Sequence, residues 1–209
     1  MAGNTRPGPL VPDSALIIID IQNDFCPGGA LAVADGDTAI PIINRMLTEY
    51  PLSILTQDWH PANHASFESQ HPQHSAFDVV ATSYGEQVLW PEHCIQGSYG
   101  AEFHSTLDTC KASAIVRKGY RKHIDSYSGF FENDRTTPTG LHGYLQTHGI
   151  QSVTLAGLAT DFCVYYTALD AIALGYHVQL AEQACRGIDL HGSLNQAREA
   201  MGKAGVQFV

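Results

Sequence analysis

Basic residues are scarce in this chain: 11 lysines and arginines stand against 21 aspartates and glutamates, a formal net charge of −10 over 209 residues. That imbalance excludes partners bound by neutralising phosphates, so neither a nucleic-acid backbone nor an anionic membrane surface is expected. No apolar run approaches the length of a membrane span, and no secretory leader is expected. The five cysteines are odd in number, widely spaced and without a C-x-x-C pair, which argues against a disulfide framework and for free thiols in a reducing cytosol. Internal repeats and low-complexity blocks are also missing. Residues 1–14, MAGNTRPGPLVPDS, are rich in proline and glycine and read as a loose arm. The remainder, residues 15–209, has the 44% apolar content of a globular chain and is long enough for a single well-buried domain.

Short β-rich apolar runs alternate with helical patterns. Ala15–Ile19 is a continuous apolar strand of the kind buried on both faces of a parallel sheet. Asp37–Tyr50 has helical spacing and stops at Pro51. Strands are expected at Leu52–Leu55 and Ala112–Val116, with an irregular, histidine-rich stretch from Pro61 to Phe103 between them. Gly140–His148 reads as a helix capped by Gly149. Val153–Gly175 reads as a buried strand, a tight turn and a nearly wholly apolar helix. A strand at Tyr176–Leu180, a helix at His191–Lys203 and a short strand at Val206–Val209 complete the chain. This alternation predicts an α/β fold, a three-layer sandwich with a mostly parallel central sheet and helices on both faces.

In such sheets ligands bind beyond the carboxyl ends of the strands. Four strand ends carry reactive residues: Asp20, the Asp58/His60 pair, Lys118 and Cys163. Cys163 falls at the start of a helix, where unpaired N–H groups and the helix dipole are expected to lower its pKa. The competing reading is a small buried hydrophobe. No histidine lies beside it in sequence, so Asp20 is the candidate base, provided its environment raises its pKa. Lys118 would stabilise a thiolate; its plain alternative is a solvated lysine. The turn Gly157–Phe162 offers N–H groups near Ala159 and Cys163 for an oxyanion hole, while Thr160 or Asp161 fits equally as a helix N-cap. Asp58 and His60 lie on one side of an extended segment, and His93 offers a third ligand for zinc, iron or manganese. His64, His71 and His74 share that stretch, so spacing alone does not choose among them. Phe25, Trp90, Tyr127, Phe130 and Phe131 are candidates to line a pocket for a flat ring, against ordinary loop packing.

Together the segments IIIDIQNDFCPGGAL, TQDWHPANHASF, WPEHCIQGSYGAEF, VRKGY, DSYSGFFEND and GLATDFCV resemble the nicotinamidases of the isochorismatase-like cysteine hydrolases. The resemblance runs from about Ala15 to the C-terminus. It implies the isochorismatase-like hydrolase fold and a catalytic triad of Asp20, Lys118 and Cys163, with the cysteine attacking a carboxamide and ammonia leaving from a thioester. It further implies an oxyanion hole from the N–H groups of Ala159 and Cys163, next to a cis peptide joining Leu158 to Ala159. Asp58, His60 and His93 would hold one divalent metal ion (zinc, iron or manganese) that binds the pyridine nitrogen. Phe25, Trp90, Tyr127 and Leu158 fall at substrate-pocket positions. Gln22 is a weaker candidate, and His64 and Ser66 lie where some members add a ligand. The implied partner is nicotinamide, pyrazinamide being a close isostere, in a cytoplasmic enzyme of NAD salvage. A homo-oligomer is compatible with the resemblance.

Overall fold

A computed structural model describes residues 13–209. The arm expected over residues 1–14 therefore lies outside the described residues up to position 12, and Ser14 already belongs to the first strand. Six parallel strands form the central sheet in the order β5-β2-β1-β6-β7-β8. Their ranges are β1 Ser14–Ile19, β2 Ser53–Asp58, β5 Ala114–Lys118, β6 Ser152–Leu158, β7 His177–Arg186 and β8 Gln207–Phe208. The predicted mostly parallel sheet is thus present.

The continuous apolar run of β1 follows from burial on both faces. Ala15, Ile17 and Ile19 join one core with Leu141 and Leu145 of α2 (Leu141–Thr147), Ala168 and Ala171 of α3 (Tyr165–Ala173) and Met201 of α4 (Ser193–Ala204). Leu16 and Ile18 point the other way, into a second core with Ile40 and Ile43 of α1 (Ile40–Met46). Because side chains alternate along a strand, one run of residues serves both layers. Gly149 and Gly175 take positive φ (67° and 91°) just past α2 and α3, and the N–H groups of Ile150 and Tyr176 reach back to Leu145 and Ala171 at 3.1 and 3.0 Å. These are glycine-terminated helix ends of the Schellman type.

Several boundaries depart from expectation for identifiable reasons. The helix predicted over Asp37–Tyr50 splits into a 3₁₀ turn, Gly36–Ala39, and α1. Pro41 sits in the first turn of α1, where its missing N–H is tolerated, so the regular helix begins there. Strand β2 runs past Leu55 through Thr56, Gln57 and Asp58, which pair in register with Val116, Arg117 and Lys118. Polar side chains ended the apolar pattern there, yet the backbone ladder continues. The stretch Pro61–Phe103 contains an antiparallel hairpin, β3 Val79–Thr82 with β4 Gly85–Val88, outside the main sheet. Strand β7 extends six residues beyond Leu180, to Arg186. No helix among the described residues is long and apolar enough to cross a membrane.

The chain passes from central β1 outward to β2 and β5, then returns to β6 on the other side of β1. The strand order therefore reverses between β1 and β6, which opens a crevice beyond their carboxyl ends.

Candidate active site

The crevice gathers the reactive residues of four strand ends. Lys118, the last residue of β5, is fully buried, and its ammonium is the hub. Its Nζ lies 2.9 Å from Asp20 Oδ2, 2.6 Å from Asp58 Oδ1, 2.9 Å from the carbonyl of Ser126 and 3.5 Å from Cys163 Sγ. Asp20 follows β1 in the left-handed region (φ 49°) and accepts a 2.6 Å hydrogen bond from Thr56 Oγ1, a residue of β2 facing the same crevice. Gln22 locks the next link: its amide donates to the carbonyl of Asp58 at 2.8 Å and accepts from the Asp58 N–H at 2.8 Å.

Two carboxylates and one ammonium share this buried volume. Burial, the foremost influence, pushes the pKa of Asp20 above its ordinary value of 3.8, against the pull of Lys118. Burial alone would raise Asp58 too, but Lys118, then His60 and His93, hold it well below the carboxylate range. For Lys118 desolvation is outweighed by Asp20 and Asp58, which keep it charged. Cys163 sits 7% exposed with Lys118 Nζ 3.5 Å from its sulfur; burial pushes its thiol well above the usual range. The expectation that its helix-start position lowers the pKa is corrected. Loss of hydration dominates, and Asp20 and Asp58 oppose the help from Lys118. The resting pair is therefore a neutral thiol against a carboxylate whose basicity has been raised.

The turn carrying Cys163 is wider than an α-turn. Residues Thr160–Val164 form a π-helical turn in which the carbonyl of Ala159 accepts from the N–H groups of Phe162 and Val164 at 3.0 and 3.2 Å. The peptide between Leu158 and Ala159 is cis. Neither Thr160 nor Asp161 caps this helix with its side chain. Asp161 instead accepts from the N–H groups of Ile188 and Asp189 at 2.9 and 2.8 Å and from Ser193 Oγ. It ties the cysteine turn to the loop that follows β7.

Asp58, His60 and His93 converge beside Lys118. Asp58 Oδ2 lies 3.5 Å from His60 Nε2 and 3.8 Å from His93 Nε2. Each imidazole is oriented through its other nitrogen: His60 Nδ1 pairs with the carbonyl of Gly119 and His93 Nδ1 with that of Pro91, both at 2.8 Å. A backbone carbonyl can only accept, so each Nδ1 donates, and that bond aims each Nε2 toward Asp58. Burial, aided by His60, lowers the pKa of His93 to about 4, so that ring is neutral at pH 7. Asp58 works against the desolvation of His60 and raises its pKa. One carboxylate and two Nε2 atoms, all buried and close together, fit a divalent cation of the zinc, iron or manganese kind. His64 and Ser66 bond to each other at 2.7 Å, and the second nitrogen of His64 faces the carbonyl of Ile124 at 3.2 Å, so both ring nitrogens are already engaged.

A narrow cavity of about 20 Å³ opens over Cys163, Asp58 and His93. Phe25, Trp90 and Tyr127 line it, as sequence suggested. Leu158 does not: it is fully buried beneath, its Cδ1 3.2 Å from where a Cβ on Gly36 would stand. The other wall residues, Leu31, Asp125, Phe162 and Ile188, were not singled out from sequence. Phe162 is adjacent to Cys163, and its ring packs edge-on to Trp90 at 4.9 Å. Ile188 was missed because β7 was ended six residues early, which hid the fact that its true carboxyl end also reaches this rim.

The family model of the isochorismatase domain matches residues 14–207. The chain belongs to the isochorismatase-domain family. It is 51% identical over 195 residues to the nicotinamidase of Acinetobacter baylyi, covering 93% of this chain and 91% of that one. Among solved structures it resembles an Acinetobacter baumanii nicotinamidase and pyrazinamidase with a TM-score of 0.94 and 53% identity, over 95% and 96% of the two chains. It also resembles the pyrazinamidase of Pyrococcus horikoshii in complex with zinc, with a TM-score of 0.77, 35% identity and coverage of 95% and 99%. This member of the isochorismatase-domain family thus sits among relatives named nicotinamidase and pyrazinamidase, and its own crevice gathers a thiol and a carboxylate around one ammonium.

Proposed function

We propose that this protein is a nicotinamide amidohydrolase that releases nicotinate and ammonia through a cysteine thioester, and that it also hydrolyses pyrazinamide. The observation that carries this reading is the contact of Lys118 with Asp20, Asp58 and Cys163 beneath a cavity walled by aromatic rings. Asp20, with its raised basicity, takes the thiol proton as Cys163 Sγ bonds to the carboxamide carbon. The N–H groups of Ala159 and Cys163 receive the developing oxyanion. Asp20 then passes its proton to the leaving nitrogen; the C–N bond breaks and ammonia departs. In the second half Asp20 removes a proton from water as the water oxygen bonds to the thioester carbon, and the proton returns to the sulfur as the C–S bond breaks. Lys118 keeps its charge throughout and offsets the negative charge passed between Asp20 and Cys163.

Asp58, His60 and His93 would hold a divalent ion, which when bound supplies a Lewis-acidic site for the ring nitrogen. Phe25, Trp90 and Tyr127 flank the ring and exclude water. The role we infer for this activity is NAD salvage in the cytoplasm. The test is ammonia release from nicotinamide and pyrazinamide by the metal-loaded protein and by Cys163→Ala. Wild type is expected to turn over both, and the alanine variant to lose about 10⁴-fold or more in kcat. Comparable turnover by the variant would sink the thioester route, and benzamide hydrolysed as fast as nicotinamide would sink recognition through the ring nitrogen.

A further inference from the structure

The hairpin β3–β4 stands apart from the main sheet, and of its eight strand residues it buries one: Gln87, 1% exposed. A hairpin whose buried residue is an amide gains little from the hydrophobic effect there, so the role of that residue lies in what it bonds. Gln87 Nε2 lies 2.7 Å from Asp125 Oδ2, 2.9 Å from the Tyr127 hydroxyl oxygen and 2.8 Å from its neighbour's carbonyl, that of Val88. On its other side Oε1 accepts from Tyr84 OH at 3.1 Å and Asn133 Nδ2 at 3.2 Å. The orientation of the amide is thereby dictated: turned over, its oxygen would face the Asp125 carboxylate. Both principal partners, Asp125 and Tyr127, line the cavity above Cys163. The Tyr127 hydroxyl also accepts from Trp90 Nε1 at 3.0 Å, and Trp90 is the third wall residue in this chain of contacts.

The geometry points to Gln87 as the positioning residue of the ring pocket, setting Asp125, Tyr127 and through it Trp90 at the distance that grips the substrate ring. It touches neither the substrate cavity nor Cys163, and it acts on substrate affinity and not on the acyl-transfer step. This inference rests on the amidohydrolase reading for its kinetic arm, and has a second arm that does not.

The experiment uses the full-length, metal-loaded protein carrying Gln87→Leu, which keeps the side-chain bulk, and Gln87→Glu, which sets a carboxylate against Asp125. Both are expected to raise KM for nicotinamide about tenfold with kcat within about twofold of wild type. The independent arm places the same changes in a Trp59→Phe background. The sequence holds two tryptophans, so Trp90 is then the sole emitter. Its fluorescence is expected to shift and its acrylamide quenching to rise when Gln87 is replaced. Adding Asp125→Asn to Gln87→Glu re-creates a donor facing an acceptor and is expected to restore the quenching of Trp90. Melting temperature is followed in parallel, because a variant that merely loosened the hairpin would leave Trp90 unrestored by the second substitution. Unchanged KM with unchanged Trp90 emission overturns the inference, as does a fall in kcat at constant KM. A wild type that turned over no nicotinamide would overturn the amidohydrolase reading, leaving the Trp90 arm to decide for or against Gln87.

Discussion

Lys118 is the residue on which the charge balance of the crevice turns. It is fully buried between two carboxylates, whose charges it offsets. Replacing it by methionine keeps the stem and deletes the ammonium, leaving Asp20 and Asp58 uncompensated. The expected cost is about 3–5 kcal/mol of folding stability at pH 7, read as a shift in the urea midpoint of the metal-free protein. A loss below about 1 kcal/mol would show the pair to be solvated in practice. Part of the loss should return as the pH is lowered, because protonating Asp20 removes one of the two charges. At this scale the sequence was informative about identity and misleading about state. Cys163, Asp20 and Lys118 were legible as strand-end residues, whereas the direction of the Cys163 shift was not. A helix start argues for a lowered pKa, but the magnitude of desolvation depends on everything packed around the sulfur.

Among elements, the end of β5 shows how backbone conformation serves the candidate metal ligands. Gly119, directly after Lys118, has φ +65°, and a Cβ there would stand 2.4 Å from His60 Cε1. Its carbonyl is also the acceptor that orients His60. Gly119→Ala is therefore expected to displace the imidazole and weaken zinc binding by about 10–100-fold, measured by competition with a chromophoric chelator. Unaltered zinc affinity would exclude His60 from the ligand set. The elements themselves were mostly readable: each predicted strand of the sheet exists, and Gly149 and Gly175 end their helices as expected. The hairpin within Pro61–Phe103 was not readable. Its strands are four residues each, half of those residues exposed and only one buried, so they lack the apolar run by which a core strand announces itself.

For the whole molecule, pH joins the site to the fold. Asp20 must be ionised to accept the thiol proton, and burial raises its pKa from 3.8. Activity, as kcat/KM for nicotinamide, is expected to fall as the pH drops through that raised value, giving an acid limb displaced upward from an ordinary aspartate's. Asp20→Asn should remove the activity that this limb reports. An acid limb at or below pH 3.8 would mean that Asp20 is not the group that titrates. The stability contribution of Asp20 runs the opposite way: it is fully present below the unfolded value of 3.8 and is lost as pH rises through the folded value. The site is thus most competent where this carboxylate least favours the fold, a tension that Lys118 relieves.

The amino-acid sequence by itself determined the layers and the chemistry available to them. A strand buried on both faces must be a continuous apolar run, and the reactive residues had to fall where those runs end, because a charged side chain is not tolerated within them. It also settled the glycine stops, which depend on one residue and its immediate neighbours. Tertiary structure alone decided what those reactive groups are to one another. Lys118 meets Asp58 across 60 residues of chain because β5 pairs in register with β2, and it meets Cys163 across 45 because the chain returns to β6 on the other side of β1. The neutrality of the thiol, the turning of Leu158 beneath the cavity, the arrival of Ile188 at its rim and the grip of Gln87 on Tyr127 all arise from packing through space. Local pattern carries information about which face of an element is buried; it carries none about the distance between two faces that meet from far apart in the chain.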